Sequence, residues 1–232
     1  MRIDFHTHIL PGMDDGAQSV TEALKMLEML KQDEIELAAL TPHYYRDEMT
    51  VEQFISTRET AYQALMEAYE KDSLPKLMLG CECTMWKGMN SVDLFPLCIA
   101  DTNMLICEMP YSYQSYIPDE LEELIACGYL PVIAHLDRYF KLYPKDKLDC
   151  IIKKEGLIFQ INTHSLSSLG VRLKLASMAK RGSSFILGSD CHDIANRPPV
   201  IKRAALKKRS LKKDFIPSVL HNEELFFNSS EQ

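Results

Sequence analysis

Seven short apolar runs, most of them separated by amphipathic stretches, are the feature that most constrains how this chain folds. Apolar runs of this length are typical of buried strands, and the amphipathic stretches between them are typical of helices. Such an alternation predicts parallel strands joined by helical crossovers. The predicted strands are Arg2–Phe5, Glu36–Thr41, Lys76–Cys81, Met104–Cys107, Leu130–Ala134, Leu157–Ile161 and Ser184–Gly188.

The clearest predicted helix begins after Ser19. Ser19 and Glu22 have the spacing of a capping box, and an apolar stripe with helical periodicity follows them. A second helix is predicted over Val51–Lys71. Shorter helices are predicted over Asp119–Cys127, Lys147–Lys154, Val171–Lys180 and Ile201–Lys208.

Polar residues suited to a chemical site stand at the C-terminal end of every predicted strand. They are His6, His8, His43, Glu82, Glu108, His135, Asn162, His164, Asp190 and His192. In an α/β barrel the strand ends converge on one mouth, whereas an open sheet would spread them along an edge. The sequence therefore predicts an α/β fold, a seven-stranded TIM-like barrel with its site at the mouth. No linker interrupts the chain, and residues 1–232 are predicted to form one domain.

The residue types at the predicted mouth favour a metal centre. His6 and His8, two apart at a strand end, face the same way and can reach one ion. Glu82 and Glu108 each end an apolar run, where an uncompensated carboxylate is costly to bury. A cation would remove that cost, and the alternative is an ion pair with a nearby arginine. Imidazole and carboxylate ligands without thiolates suit manganese, iron or zinc.

Charge and composition narrow the partners and the compartment. The net charge of −7 gives no sign of nucleic-acid binding, and no apolar run has the length of a membrane span. An odd number of cysteines, seven, and an N-terminus without signal-peptide features predict reduced thiols and a cytoplasmic location. The eight basic residues from Arg197 to Lys213 are interpreted as a solvated helical face, with an anion-attracting patch as the alternative.

Six short motifs follow one another between Arg2 and Pro199. They are His6-Thr7-His8, Asp14-Asp15-Gly16, Thr41-Pro42-His43, Gly80-Cys81-Glu82, Ile133-Ala134-His135-Leu136-Asp137-Arg138-Tyr139 and Gly188-Ser189-Asp190-Cys191-His192. Together they resemble the PHP (polymerase and histidinol phosphatase) superfamily. The resemblance is closer to its bacterial manganese-dependent protein-tyrosine phosphatases of capsule and exopolysaccharide loci.

The resemblance implies a distorted (β/α)7 barrel that holds up to three metal ions, most simply Mn2+, with iron or zinc as alternatives. The implied ligands are His6, His8, Glu82 and Asp190 for one ion, Glu82, Glu108 and His135 for a second, and His43, His192 and Asp15 for a third. Asp15 is favoured because it precedes the loop glycine, and Asp14 is the alternative. Glu82 would bridge two ions.

The same resemblance indicates the reaction and its substrate. Much of the superfamily has a histidine where this chain has Glu108, and the tyrosine-phosphatase branch does not. The implied activity is hydrolysis of phosphotyrosine, with a bacterial tyrosine kinase that controls capsular or exopolysaccharide synthesis as the substrate protein. Two alternatives stay open: a small-molecule phosphatase, for example of histidinol phosphate, and a catalytically silent, metal-stabilised regulatory binding domain.

Arg138 and Arg197 are the predicted catalytic residues. The transition state of phosphomonoester hydrolysis spreads charge over three oxygens, so positioning and electrostatics dominate catalysis. A metal-bridging hydroxide is expected to attack phosphorus while both guanidinium groups bind phosphoryl oxygens bidentately. Aromatic residues near the mouth suit a phosphotyrosine ring or, alternatively, pack within loops. They are Tyr44, Tyr45, Tyr111, Tyr113, Tyr116 and Tyr139.

Cys191 and Arg197 have the Cys-x5-Arg spacing of thiol-dependent tyrosine phosphatases. Those enzymes wrap phosphate with backbone amides of the intervening loop. Here the loop has no glycine, and its neighbours Asp190 and His192 have the character of metal ligands. The metal mechanism is therefore preferred over the thiol mechanism.

Overall fold

The computed structural model describes residues 3–199, 215, 218–219 and 221–224 of the 232-residue chain. The helix predicted over Ile201–Lys208 lies outside the described residues, as does the basic run apart from Arg197. Among the described residues, no helix is long and apolar enough to cross a membrane.

Nine strands form the framework of the described chain. They are β1 (Ile3–Thr7), β2 (Leu37–Leu40), β3 (His43–Tyr44), β4 (Lys76–Leu79), β5 (Glu82–Thr84), β6 (Met104–Glu108), β7 (Leu130–Ile133), β8 (Ile158–Asn162) and β9 (Ser184–Gly188). All strand pairings are parallel, in one sheet of order β1-β2-β4 and one of order β3-β5-β6-β7-β8-β9. The predicted mixed α/β fold with parallel strands is confirmed.

Two of these strands, β3 and β5, were not predicted. They continue β2 and β4 beyond a short break at residues 41–42 and 80–81. Pro42 has no N–H to donate, which interrupts the ladder at that point. Hydrogen bonds from Gly80 N to Leu40 O and from Glu82 N to Pro42 O, both 3.0 Å, keep the two paths side by side across the break.

The two sheets also meet at β1 and β9. Asp190 N donates to His6 O and His8 N donates to Cys191 O, both at 2.9 Å, and Thr7 forms a parallel bridge with Cys191. These bonds bring the residues that follow β9 beside the end of β1. Strands β1 and β9 therefore lie next to one another, although they belong to different sheets.

Six α-helices connect the strands in the described part of the chain. They are α1 (Val20–Gln32), α2 (Val51–Met66), α3 (Ile117–Ala126), α4 (Leu136–Leu142), α5 (Lys145–Ile152) and α6 (Leu169–Ala179). Ser19 caps α1 as predicted, although the Glu22 carboxylate accepts from Gln18 N and not from Ser19 N. Helix α2 ends at Met66, earlier than the predicted Lys71, and the Tyr69 hydroxyl donates to Pro75 O in the segment that leads to β4.

Helix α4 was not predicted. It begins directly after His135, whose backbone has a left-handed φ of 30° and whose side chain makes no capping hydrogen bond. A cap of this kind leaves no Ser, Thr, Asp or Asn signal in the sequence. The consequence for the site is large, because the first turn of α4 carries Arg138.

A β-bulge in β1 decides which way the N-terminal histidines face. Ile3 and Phe5 pack in an apolar cluster with Ile106 and other strand residues, so strict alternation would send His6 to the opposite face. The register of β1 against β2 shifts between residues 4 and 7. An extra residue of this kind re-aims the side chains that follow it.

Candidate metal centre

Glu82 lies at the centre of the site, at the start of β5, and is 1% exposed. Its carboxylate oxygens face the imidazole nitrogens of four histidines. The distances are 3.1 Å to His6 Nε2, 3.3 Å to His8 Nε2, 3.1 Å to His43 Nδ1 and 2.7 Å to His135 Nε2. Burial would raise the pKa of Glu82, but His6 and His135 hold it well below its usual range. The predicted bridging residue is thus the point where the other side chains meet.

The ligand atoms of His6, His8 and Asp190 lie within 4.8 Å of one another. Asp190 Oδ1 is 3.8 Å from His6 Nε2 and 3.6 Å from His8 Nε2. All three side chains are buried, at the ends of β1 and β9. Together with Glu82 they form the set that the sequence predicted for one ion.

A second group within 4.8 Å consists of His43, Glu82 and Glu108. The sequence placed His135 in this set, and His135 Nε2 is 3.4 Å from Glu108 Oε1. The Glu108 carboxylate also accepts hydrogen bonds from Thr84 Oγ1 at 3.1 Å and from Arg138 Nη1 at 2.9 Å. For Glu108 the ion pair with an arginine is therefore present, whereas Glu82 is surrounded by histidines.

The third group joins His8, Asp15, His43 and His192, again within 4.8 Å. Asp15 Oδ1 is 3.6 Å from His43 Nε2 and 3.4 Å from His192 Nε2. The rings of His8 and His192 stack with centroids 3.8 Å apart. Asp15 is 67% exposed, so this group opens towards solvent.

Asp14 and Asp15, which the sequence left as alternatives, face different partners. Asp14 Oδ2 lies 2.7 Å from His8 Nδ1 and accepts from His43 N at 2.8 Å, while Oδ1 accepts from Gly16 N at 2.9 Å. A carboxylate on the second ring nitrogen is the usual device that orients a metal-binding histidine. A Cβ on Gly16 would lie 2.1 Å from His8 O, so this tight approach requires glycine.

The residues present fit a bound cation. His43 Nδ1 and His192 Nε2 are buried and have no hydrogen-bond partner within the described structure. Buried polar atoms are normally paired, whereas these two nitrogens face carboxylate oxygens of Glu82 and Asp15 without an aligned hydrogen bond, as the ligands of a metal site do. The donor set of histidines and carboxylates without a thiol suits a hard or borderline divalent ion.

The histidines of the site differ in pKa. Burial alone would lower the pKa of His8, but Asp14 and Glu82 raise it to about 10. Burial likewise opposes protonation of His135, yet Glu108 and Glu82 raise its pKa to about 9. The pKa of His192 falls to about 4 because of burial and the nearby His8 and Arg197. Burial also lowers the pKa of His43.

Gln160 and Asn162 on β8 support the histidines and Asp190 from below. Gln160 Oε1 accepts from His135 N at 2.5 Å and lies 3.2 Å from His6 Nδ1. Gln160 Nε2 donates to Asn162 Oδ1, and Asn162 Nδ2 donates to Asp190 Oδ2, both at 2.9 Å. Asn162 is among the polar residues predicted at the strand ends, whereas Gln160 was not predicted. Its position two residues earlier, on the same face of the strand, was the available signal.

Two residues of the site have left-handed backbones: His135, with φ 30°, and Asp190, with φ 55°. Each such residue lowers the stability of the fold by on the order of 1 kcal/mol, and residues strained in this way are found mainly at functional sites. Gly188, just before Asp190, has no room for a side chain, because a Cβ there would lie 2.6 Å from His6 Cβ. His164, which the sequence placed near the mouth, is exposed and belongs to none of the three groups.

Arg138 and Arg197 both line the cavity above this cluster. Arg138 Nη1 pairs with Glu108 Oε1 and Arg197 Nη2 pairs with Asp190 Oδ1, each at 2.9 Å. The cavity has a volume of about 420 Å3. Its remaining lining residues are Asp15, His43, Tyr45, Glu82, Thr84, Glu108, Met109, Pro110, Tyr111 and Asp190.

The aromatic residues near the mouth divide into rim and core. Tyr45 and Tyr111 are exposed on the cavity wall, and the Arg138 guanidinium lies 5.7 Å from the centre of the Tyr111 ring. Tyr44 and Tyr139 are buried in the core, and Tyr113 and Tyr116 pack against it.

Cys191 points away from the cavity. It is fully buried in an apolar cluster with residues of β2 and α1, and burial raises the pKa of its thiol well above the usual range. A buried thiol of raised pKa is a poor nucleophile. The Cys-x5-Arg spacing is therefore coincidental with respect to this site.

Comparisons with known proteins agree with one another. A family model described as capsular polysaccharide synthesis, CpsB/CapC, matches residues 2–225. The tyrosine-protein phosphatase YwqE of Bacillus subtilis (strain 168) is 29% identical over 206 residues, 84% of this chain and 79% of that protein. A putative tyrosine-protein phosphatase CapC of Staphylococcus aureus is 27% identical over 213 residues, 87% of this chain and 81% of that protein.

The fold is shared with a solved structure. It comes from work on YwqE of Bacillus subtilis and CpsB of Streptococcus pneumoniae, described there as unique metal-dependent tyrosine phosphatases. The TM-score is 0.72 at 24% identity, and the match covers 92% of this chain and 87% of the other.

Proposed function

The chain belongs to the CpsB/CapC family of capsular polysaccharide synthesis, and we propose that it is a metal-dependent tyrosine-protein phosphatase, a hydrolase of phosphotyrosine monoesters. The observation that carries this proposal is one cavity of about 420 Å3 in which two arginines overhang histidines and carboxylates. Side chains that can bind a phosphoryl group and side chains that can bind metal ions thus line the same cavity. The named relatives are tyrosine-protein phosphatases, which supports the same activity.

Nine side chains would hold up to three metal ions. We assign them as the sequence indicated: His6, His8, Glu82 and Asp190 for one ion, Glu82, Glu108 and His135 for a second, and Asp15, His43 and His192 for a third. The contact of Asp14 with His8 supports Asp15 as the ligand and Asp14 as the residue that orients His8. Manganese is the proposed ion, with iron or zinc as alternatives for this donor set.

When bound, such ions lower the pKa of a coordinated water and polarise a phosphoryl group. The protein supplies the rest of the chemistry. Arg138 and Arg197 now pair with Glu108 and Asp190 at 2.9 Å. Once those carboxylates serve as ligands, the guanidinium N–H groups are free to donate to phosphoryl oxygens, where they stabilise the charge that spreads in the transition state.

The rim of the cavity supports an aromatic phosphate ester as substrate. Tyr45 stacks on His43 with ring centroids 5.2 Å apart, and Tyr111 lies beside Arg138 on the wall of the same cavity. Both rings are exposed and can contact the phenyl ring of a phosphotyrosine. We propose a phosphorylated bacterial tyrosine kinase that controls capsular or exopolysaccharide synthesis as the protein substrate, met in the cytoplasm.

We also propose that the two sheets are parts of one distorted (β/α)7 barrel within a single domain over residues 1–232. The hydrogen bonds between the residues after β9 and the end of β1 support closure on one side. The continuation of β2 into β3 and of β4 into β5 supports it on the other. A crystal structure in which another element separates β1 from β9 would contradict this closure.

The direct test is phosphate release by the purified, manganese-loaded protein from a phosphotyrosine peptide and from histidinol phosphate, with and without a chelator. Chelator-sensitive turnover of the peptide, with little of the small molecule, is the expected result. Arg138→Lys and Arg197→Lys keep the charge and lose the bidentate geometry, so each should lower kcat/KM about 100-fold. Turnover of histidinol phosphate alone would overturn the substrate, and no turnover with metals bound would favour a silent binding domain.

The kinase assignment has its own test. The phosphorylated kinase from the same capsule locus would be incubated with the enzyme, and loss of phosphotyrosine would be followed by immunoblot. A kinase that stays phosphorylated, while the phosphotyrosine peptide is hydrolysed, would rule it out as the substrate.

A further inference from the structure

A second concave surface, which we call the basic groove, lies between α4, α5 and α6. Its volume of about 480 Å3 exceeds that of the cavity at the metal centre. The floor is formed by apolar and aromatic side chains. They are Phe140, Tyr143, Leu148, Ile152 and Met178. A floor of this size and character offers a large side chain of a partner a place to bury.

The rim of the basic groove is positively charged. Lys145, Lys153, Lys174 and Arg181 surround it, and Asp149 is the one carboxylate in its lining, which leaves 4 − 1 = 3 net positive charges. No ion pair joins these four cations to another residue that the structure describes. The whole chain carries a net charge of −7, so the groove is a positively charged region on a negatively charged protein.

The basic groove shares a wall with the catalytic cavity. The Tyr143 ring lines the groove while its hydroxyl donates to Pro110 O at 2.5 Å, and Pro110 lines the cavity. Helix α4 places Arg138 in the cavity and Phe140 in the groove. A peptide whose phosphotyrosine occupies the cavity would meet the groove on the other side of this wall, and it advances about 3.3 Å per residue when extended.

We propose that the basic groove docks an acidic segment, with one large apolar side chain, of the same protein whose phosphotyrosine enters the catalytic cavity. This inference rests on the proposed function. The charged rim favours carboxylates, and the apolar floor favours a large apolar side chain. Because the groove and the cavity share a wall, one polypeptide can occupy both. A nucleic-acid backbone would leave the apolar floor unfilled, and the basic run 201–213 of this chain has the wrong charge.

Two matched phosphotyrosine peptides test the docking. One carries Glu and Asp with a Leu beside the phosphotyrosine, and the other carries Gln, Asn and the same Leu. The wild-type enzyme should show a kcat/KM about tenfold higher for the acidic peptide, and the preference should shrink as salt is raised. Free phosphotyrosine, which cannot reach the groove, serves as the measure of the catalytic site alone.

The groove variants are Lys145→Glu with Lys153→Glu, which reverses two rim charges, and Ser177→Trp, which fills the groove from an exposed position of α6. The charge variant should lose the preference for the acidic peptide. The tryptophan variant should have a lower kcat/KM for both peptides. Hydrolysis of free phosphotyrosine should stay within about twofold of wild type in both. Lys25→Glu with Lys71→Glu, on exposed positions outside the groove, is the charge-matched control.

Equal turnover of the two peptides by wild type would overturn the docking site and leave the phosphatase function standing. So would a preference for the acidic peptide that survives in the charge variant, because its origin would then lie elsewhere. Failure of wild type to hydrolyse even free phosphotyrosine would defeat the proposed function instead. Fluorescence anisotropy with labelled forms of the peptides, phosphorylated and not, would then still decide whether the groove binds the acidic segment.

Discussion

The inner and outer parts of the metal centre are built differently. We define the inner part as His6, His8, Glu82, His135 and Asp190, and the outer part as Asp15, His43 and His192. Inner side chains are at most 6% exposed, whereas Asp15 is 67% exposed. Buried neighbours outside the cluster hydrogen-bond to His6, His8, His135 and Asp190 of the inner part. Unpaired imidazole nitrogens occur in both parts, at His135 Nδ1 as well as at His43 Nδ1 and His192 Nε2, within the described structure.

The inner ligands are held in place by their neighbours, whereas the outer part opens towards solvent. The inner part is held by Asp14, Gln160 and Asn162, so its geometry exists before any ion binds. The outer part depends on Asp15, an exposed loop aspartate. We therefore expect the inner ions to bind tightly and the outer ion to exchange. The following predictions, in order of falling effect, test that division.

Glu82→Gln should have the largest effect. The change removes the charge that faces four histidines, and the loss of several kcal/mol of electrostatic stabilisation corresponds to about 10³-fold or more in phosphatase activity. Metal content, measured by inductively coupled plasma mass spectrometry, should fall in parallel. Glu123→Gln on the exposed face of α3 is the control. Retention of all metals by Glu82→Gln would refute the central role of this carboxylate.

Metal affinity of the inner part should rise with pH. His8 and His135, with pKa values of about 10 and 9, are protonated at neutral pH in the metal-free protein, and a metal must displace both protons. Each inner ion displaces one of these protons, so its affinity should rise about tenfold per pH unit until the pH reaches the pKa of its histidine, about 10 for His8 and about 9 for His135. His192, with a pKa of about 4, is already neutral, so the outer ion should show little dependence.

Isothermal titration calorimetry in buffers of different ionisation enthalpy counts the protons released. A count near two for the inner ions and near zero for the outer ion is expected. Equal counts for all ions would show that the two parts do not differ in protonation.

Asp14→Asn and Asp15→Asn compare sequence neighbours that serve different parts. Asp14→Asn loosens His8 and should lower activity and inner-metal affinity about 10- to 100-fold. Asp15→Asn should remove the outer ion, leave the inner ions bound and cost less than Asp14→Asn. Metal stoichiometry after gel filtration distinguishes them. Loss of the inner ions in Asp15→Asn, with Asp14→Asn unaffected, would reverse the assignment.

Cys191→Ala should have the smallest effect on activity. The thiol is buried in an apolar cluster on the far side of the strand, so phosphatase activity should stay within about twofold. Unfolding free energy should fall by about 1 kcal/mol because a small cavity is left. Chemical denaturation and a phosphatase assay measure both. An activity loss with metals retained would revive the thiol mechanism.

Much of the fold follows from local patterns. The seven predicted strands all correspond to observed strands, because apolar runs of strand length bounded by polar residues report burial directly. Ser19 at the start of α1 followed from its capping spacing. Helix α4 escaped prediction because His135 caps it through backbone conformation alone, which no residue type announces.

The polar residues that gather at the strand ends were recognisable in the sequence, but their arrangement was not. Polar residues at strand ends were recognisable one by one, and the structure brings His6, Glu82 and Asp190 together as expected. The choice between Asp14 and Asp15 depends on the path of one loop around Gly16, where a Cβ would meet His8 O. Gln160 contacts residues 25 and 154 positions away in the chain, and such separations leave no local pattern.

The sequence by itself determined which polar residues follow the strands and that parallel strands present them at one end, because alternation and strand-end polarity are local properties. Only the tertiary structure decided which way these residues face. The bulge in β1 turns His6 and His8 to the side of Ile3 and Phe5, against strict alternation. It also decided that α4 lies between the cavity above the metal-ligand cluster and the basic groove. Both outcomes depend on contacts between segments far apart in the chain, and a sequence pattern records only neighbours.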